Sequence, residues 1–351
     1  MAEDNAGGYT CRSVGAVSVL FCADRVFEDH DSGAGHPERP GRIRAVNEGM
    51  LQHGLGDVLL HLPVGEATDD QLLAVHEPQH LARIKRFCEL GGGYIDSDTH
   101  VGESSERLSR AGSGTLLAAV DQLRAGTASG AFVAVRPPGH HATPSRAMGF
   151  CLYNHVAVAA AALRDAGERV LVVDIDAHHG NGTQEIFEAD AEVMYVSWHQ
   201  SPHYPYTGHA EESGVGDGLG TTMNIPMPAG ATGEHYRRAI EEVLAPAAAD
   251  FDADWLLISA GFDAHRADPL CDLGLTSGDV ADIVCDLLQL VDPGRAAALL
   301  EGGYDLRAVA DCSAAVVAAM AGVPLHPEAP TSGGPGSTFV EAALEARRRV
   351  T

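Results

Sequence analysis

The run Val173-Asp174-Ile175-Asp176-Ala177-His178-His179-Gly180-Asn181-Gly182 constrains this chain most. An apolar strand, Arg169 to Val173, passes without a break into carboxylates and imidazoles. Successive side chains of a strand point to opposite faces, so Asp174, Asp176 and His178 share one side where the strand ends. A solvated charged loop has no reason for this i, i+2, i+4 spacing. Asp and His together suit a borderline metal such as zinc. The competing reading is a structural hydrogen-bond network.

Three more strand ends repeat the layout. Trp255-Leu-Leu-Ile-Ser-Ala-Gly-Phe-Asp263-Ala-His265 ends an apolar strand in a small-residue turn and a carboxylate. Alone, Asp263 reads as an ordinary cap or turn residue. Beside Asp176 and His178 it is the natural third ligand, because ligands in open α/β sheets gather outside the carboxyl ends of the strands. Three protein ligands leave a fourth position open, as in catalytic rather than structural zinc sites. Ala131 to Arg136 leads into Pro137-Pro138-Gly139-His140-His141, where prolines stop the strand and present adjacent imidazoles on a stiff loop. Such a pair can take a proton from water and hand one to a leaving amine; a surface His pair is the bland alternative. Ala296 to Leu300 runs into Glu301-Gly302-Gly303-Tyr304, where the glycines allow close backbone approach and Tyr304 can donate to an oxyanion. Alone, this would be a turn with a core tyrosine.

The remaining pattern alternates strands with helices. Candidate strands are 14–22, 131–136, 169–174, 193–198, 254–259 and 296–300, and helical stretches include 103–124, 151–165, 234–249 and 277–290. Near-continuous apolar strands alternating with helices predict an α/β fold, a mostly parallel central sheet with helices on both faces. The chain divides into a flexible N-terminus, 1–13, one catalytic domain, 14–325, and a linker with a short helix, 326–351; the helix, 338–349, is expected to pack or fray without chemistry.

Composition narrows the partners. The 23 Lys plus Arg against 49 Asp plus Glu give a formal charge of -26, which repels nucleic acid and would steer cationic substrates inward, although solubility alone explains an acidic surface. Apolar runs are too short and interrupted for a membrane span, and the N-terminus lacks the basic and apolar regions of a signal peptide. Seven cysteines without Cys-x-x-Cys spacing fit reduced thiols and a cytoplasmic location. Cys151 and Cys271, near the candidate site, read as packing residues.

Taken together, Arg136-Pro-Pro-Gly-His-His-Ala142, Gly149-Phe150-Cys151, Asp174-Ile-Asp-Ala-His-His-Gly-Asn-Gly-Thr183, Ser259-Ala-Gly-Phe-Asp-Ala-His265 with Asp268-Pro269-Leu270, and Glu301-Gly-Gly-Tyr304 resemble the zinc-dependent histone deacetylase and acetylpolyamine amidohydrolase superfamily, in its order and spacing over about residues 14 to 325. The resemblance implies an arginase-like fold and one catalytic zinc held by Asp176, His178 and Asp263. It implies His140 and His141 as the acid/base pair and Tyr304 as the group that polarises the acyl carbonyl. Asp174 would orient His140 and, with Ser197 and backbone carbonyls, bind a structural potassium ion. Asn181, beside His141, stands where one branch of the family has a second Asp; Asn at this place resembles the class II and bacterial branch.

Other positions carry over from the same resemblance. Gly149, Phe150 and Gly302 would line the acyl-lysine tunnel, with Tyr204 where the wall opposite Phe150 is usually Phe; this departure puts a hydroxyl in an apolar channel. Asp98 matches the rim aspartate that holds the substrate backbone, with Asp96 the alternative. Arg42 matches a buried arginine near the acetate release path, or else pairs with a core carboxylate at a helix start. The implied reaction removes acetyl or other acyl groups from lysine side chains or small acylated amines. Acetylpolyamines are the alternative substrate; the region 94–106 carries no obvious insertion of the kind that would constrict an entrance for them. A homo-oligomer is left open. Two other classes compete: a silent acyl-lysine reader, disfavoured because Tyr304 and both histidines are present, and a dimanganese hydrolase drawing on His179 and His265.

Overall fold

In the computed structural model, which describes residues 17–350, eight strands form one sheet: β1 Val19–Cys22, β2 Leu59–His61, β5 Gly130–Val133, β6 Val170–Asp174, β7 Val193–Gln200, β8 Thr222–Met227, β9 Trp255–Ala260 and β10 Ala296–Leu300. Two short strands, β3 Gly93–Tyr94 and β4 His100–Val101, make a separate antiparallel hairpin. The order across the large sheet is β2-β1-β5-β10-β9-β6-β7-β8, and every pairing is parallel. The inner strands are buried throughout, which is why β5, β6, β9 and β10 read as near-continuous apolar runs, while β7 also buries Ser197, His199 and Gln200. β8 was not foreseen: its Asn224 and Pro226 break the apolar signal, and an edge strand tolerates the missing N–H.

Helices pack in two groups that sandwich the sheet. Gly41–Gln52 and Ser277–Leu287 lie against Leu306–Met320, while Ser105–Arg124 lies against His155–Asp165. Helix Leu306–Met320 is buried along nearly all its length, so it is apolar all round rather than amphipathic, and Asp305 caps it by accepting from the Ala308 N–H at 2.8 Å. Gly49 is required where the first helix crosses it, because a Cβ there would collide with the Ala310 carbonyl. Thr276 and Asp279 close a capping box at the start of Ser277–Leu287.

Several boundaries differ from the sequence reading. The first strand begins at Val19, and positions 1–16 lie outside the described residues. The strand expected to reach Arg136 ends at Val133, since Arg136 turns inward to the buried Glu38 carboxylate. The helix expected over 234–249 is interrupted by a wider π turn, Ile240–Leu244, just before Pro246, whose missing N–H cannot complete the regular ladder. The expected linker is tied down: Glu328 accepts from His265 and Arg266, both at 2.6 Å, and Thr331 bonds Asp279. The terminal helix, Ser337–Arg348, packs beside β8 through buried Val340 and Ala343. Four adjacent central strands, β5, β10, β9 and β6, all point their carboxyl ends the same way, and the loops leaving them build the site.

Candidate active site

The β6 and β9 loops bring Asp176, His178 and Asp263 together, with one ligand atom of each within 4.8 Å of the others. His178 Nδ1 lies 3.1 Å from both Asp176 Oδ1 and Asp263 Oδ2. Asp176 and Asp263 are wholly buried and His178 nearly so. The Ala177 N–H fixes Asp263 Oδ1 at 2.7 Å, and the Gly302 N–H fixes Asp176 Oδ2 at 2.8 Å. Gly261 and Gly302 have no alternative, because a Cβ at either would run into these carboxylates. Burial opposes the charge on His178, yet Asp263 and Asp176 hold its pKa well above the ordinary 6.5. Two buried carboxylates thus require a positive charge beside them. Their donor set of two oxygens and one nitrogen fits a borderline divalent cation such as zinc.

His140 and His141, on the β5 loop, have ring centroids 4.0 Å apart but opposite surroundings. His140 Nδ1 meets Asp174 Oδ2 at 2.9 Å, and although burial alone would depress it, Asp174 and Asp176 carry its pKa up to about 10. His141 Nδ1 meets the neutral amide oxygen of Asn181 at 2.8 Å, and burial followed by the neighbouring His140 pushes its pKa well below 6.5. Adjacent imidazoles driven apart in this way are suited to one cationic and one basic role. The loop carrying them is locked from behind. Glu301 Oε2 accepts the Gly139 and His140 N–H groups at 2.7 and 3.1 Å, His155 Nε2 meets the Pro137 carbonyl at 3.0 Å, and His76 Nδ1 meets that of Thr143 at 3.0 Å.

Tyr304 follows β10, its N–H held by Asp268 at 2.7 Å. Burial raises its pKa well above 10, and no hydrogen bond engages its hydroxyl among the described residues. The group is therefore a protonated, uncommitted donor. Its ring lies edge-on to Phe150 at 6.0 Å and beneath the Arg42 guanidinium at 5.3 Å. Arg42 takes the core-carboxylate reading: it pairs with buried Glu38 at 3.1 Å and donates to the Gly303 carbonyl at 2.6 Å.

Phe150 and Tyr204 flank this centre. Phe150 adopts φ +67° and follows Gly149 at φ +55°, where a Cβ would strike the His141 ring. The Thr99 hydroxyl oxygen accepts the Phe150 N–H at 3.0 Å and donates to Asp98 Oδ1 at 2.9 Å. Asp98 is thereby tied to the Phe150 wall, while Asp96 faces Arg146 at 3.7 Å. Tyr204 lies edge-on to His141 at 5.2 Å and to His178 at 6.2 Å. Gly302 supports Asp176 and Asp263 through its backbone. Ser197 is the register partner of Asp174 across β6 and β7, its hydroxyl 2.9 Å from His199.

The extra ligands a dimanganese centre needs are engaged elsewhere: His179 with Thr207 and Gln184, His265 with Glu328. Sequence reasoning gave no role to Glu301, to Asp268 or to Tyr195, whose hydroxyl donates to Asp174 at 3.2 Å. Glu301 and Asp268 sat inside motifs already singled out, and charge within an apolar context was the signal available.

Comparison with known proteins identifies the family and the fold. A family model described as "Histone deacetylase domain" matches residues 36–320. Histone deacetylase 15 of Arabidopsis thaliana is 37% identical over 316 residues, covering 88% of this chain, which spans only 57% of that protein. The histone deacetylase-like amidohydrolase of Pseudomonas aeruginosa is 36% identical over 299 residues, covering 83% of this chain and 78% of that one. Among solved structures, the HDA15 HD domain superposes with a TM-score of 0.87 at 35% identity over 95% of both chains. With the family model spanning most of the sheet and relatives well above 30% identity across more than four-fifths of the sequence, the chain belongs to the histone deacetylase family, enzymes that act on amides.

Proposed function

We propose that this protein is a zinc-dependent deacylase that hydrolyses the amide of acylated lysine side chains or small acylated amines. The observation that carries the reading is the divergence of His140 and His141 beside the Asp176-His178-Asp263 cluster, an acid/base pair next to a cation site. When bound there, zinc supplies Lewis-acid polarisation of a carbonyl and a water-derived nucleophile at neutral pH. His141 is neutral and tethered at Nδ1, so its Nε2 accepts the proton of the attacking water and delivers it to the leaving amine. His140, charged and paired with Asp174, stabilises negative charge in the transition state. The Tyr304 hydroxyl donates to the developing oxyanion. Asp174 and Ser197, facing each other across adjacent strands, are our candidates for a structural potassium site with nearby carbonyls. Dialysis into a large organic cation is expected to lower stability, and potassium to restore it.

For the substrate, the half-buried Asp98 beside the Phe150 wall supports a peptide-holding rim, and the short 93–101 hairpin leading directly into helix Ser105–Arg124 supports an entrance without an inserted loop. The test is a panel of acyl-lysine peptides, acetylpolyamines and small acyl amides, with and without a chelator. Metal-dependent amine release is expected, with Asp98→Ala damaging peptide turnover far more than that of a minimal acetylated amine. Turnover that survives complete metal removal overturns the mechanism. Acetylspermidine or acetylputrescine exceeding every peptide by tenfold in kcat/KM, about 1.4 kcal/mol, transfers the assignment to polyamines. No helix among the described residues is long and apolar enough to cross a membrane.

A further inference from the structure

His178 has two ring nitrogens, and only Nδ1 faces the carboxylates. Nε2, on the opposite edge of the ring, lies 3.5 Å from Cys271 Sγ. The His203 ring packs at 5.1 Å from that of His178, and one ligand atom each from His178, His203 and Cys271 falls within 4.8 Å of the others. Cys271 is 6% exposed, and His203 Nδ1 is buried without a hydrogen-bond partner among the described residues. His203 belongs to the loop after β7 and Cys271 to the loop after β9, and neither has a part in the acid/base or oxyanion roles above.

A thiol serving as the hydrogen-bond partner of a metal-ligating histidine accounts for the first two groups. It leaves His203 Nδ1 orphaned, and a buried orphan in a native fold asks for a partner. Zn–N and Zn–S distances of about 2.05 and 2.3 Å at tetrahedral angles put N and S about 3.5 to 3.6 Å apart. The observed 3.5 Å edge therefore matches without movement. A thiolate with imidazoles selects soft or borderline cations such as zinc, cadmium and cuprous ion over magnesium or calcium.

We propose that His178 Nε2, Cys271 Sγ and His203 form a second, soft-metal site that shares His178 with the catalytic centre and inhibits the enzyme when filled. This rests on the reading of Asp176, His178 and Asp263 as the zinc site. Filling the second site releases the Cys271 thiol proton and the His178 Nε2 proton to solvent, leaving an imidazolate between two cations. Sharing the ring weakens its donation to the first ion, so the sites are negatively coupled in both directions. Disturbing a ligand's outer partner generally costs about 10- to 100-fold in metal affinity or activity, and inhibition of that order is expected here.

The test titrates the one-zinc protein with cadmium. It follows bound metal after gel filtration, the ultraviolet thiolate-to-cadmium charge-transfer band, and amide hydrolysis relative to each protein's own one-metal form. Wild type should take up a second equivalent with the band, losing about tenfold or more in activity. Cys271→Ser should lose the band, and both Cys271→Ser and His203→Leu should lose the second equivalent while keeping the first. His203 is half-buried on a loop, so that variant serves if Cys271→Ser fails to fold. A wild type that binds one equivalent only, or a second equivalent and band that survive His203→Leu, overturns the second site alone. Failure to bind even the first equivalent overturns the zinc-site reading and this inference with it.

Discussion

His141 Nδ1 lies 2.8 Å from Asn181 Oδ1, so the imidazole we assign as base is tethered by an amide and not by a carboxylate. His141 therefore keeps a low pKa, and the acid limb of the kcat/KM profile should fall below pH 6.5. Asn181→Asp places a carboxylate beside the same ring nitrogen and should move that limb upward by about 1 to 3 units. His141→Ala should lower kcat by about 100- to 10,000-fold. An acid limb that does not move in Asn181→Asp would show that His141 is not the titrating base.

The carboxylates and the glycine between them predict metal content. Asp263→Ala removes a ligand, and Gly302→Val drives a side chain into both Asp263 Oδ2 and Asp176 Oδ2. Each should purify with far less zinc than the wild type, as measured by elemental analysis of dialysed protein. Wild-type zinc content in Asp263→Ala would remove this residue from the ligand set.

The Tyr304 hydroxyl, our assigned oxyanion donor, is engaged by no other group among the described residues. Losing one oxyanion donor costs about 100- to 1,000-fold in kcat. Tyr304→Phe should show that loss with zinc still bound and KM little changed. Near-normal turnover would mean that another donor serves the oxyanion.

Acid stability follows from histidines buried in the neutral form. His76 accepts the Asn154 N–H at Nε2, 2.9 Å away, while Nδ1 faces a carbonyl, so the geometry itself requires an unprotonated ring. Burial, then His80, lowers its pKa to about 3, and burial lowers those of His155 and His30 to about 4. Their folded values lie below the ordinary 6.5, so the unfolded chain binds more protons and the stabilisation is complete above pH 6.5. It is lost as pH falls from 6.5 toward 4, at up to about 1.4 kcal/mol per pH unit for each group. Calorimetric Tm against pH should decline over this window. His155→Gln should flatten the decline, and an identical slope in that variant refutes the assignment.

The site was more legible in the sequence than the frame around it. Asp176, His178, His140 and Tyr304 each follow an apolar strand within a few residues, so local chain order already carries their chemistry. The supports do not behave that way. Glu301 acts on Gly139, 162 residues away, and Asp268 on Tyr304, 36 away, and such contacts exist only once the strand order is known. Cys271 read as packing and is buried in the core, but that His203 lies beside it is visible only once the fold brings their loops near. The edge strand β8 and the 93–101 hairpin were missed because edges and short turns need little apolar periodicity.

The glycine-backed carboxylate also has a consequence for how the molecule is made. Asp176 is oriented by the amide of Gly302, 126 residues later, and β10, which delivers that glycine, is the last of the sheet's eight strands in chain order yet lies at its centre. All three residues of the carboxylate–imidazole cluster are therefore synthesised before the backbone that aims one of them. The Asp176, His178 and Asp263 cluster reaches its final geometry only once β10 lies in place between β5 and β9.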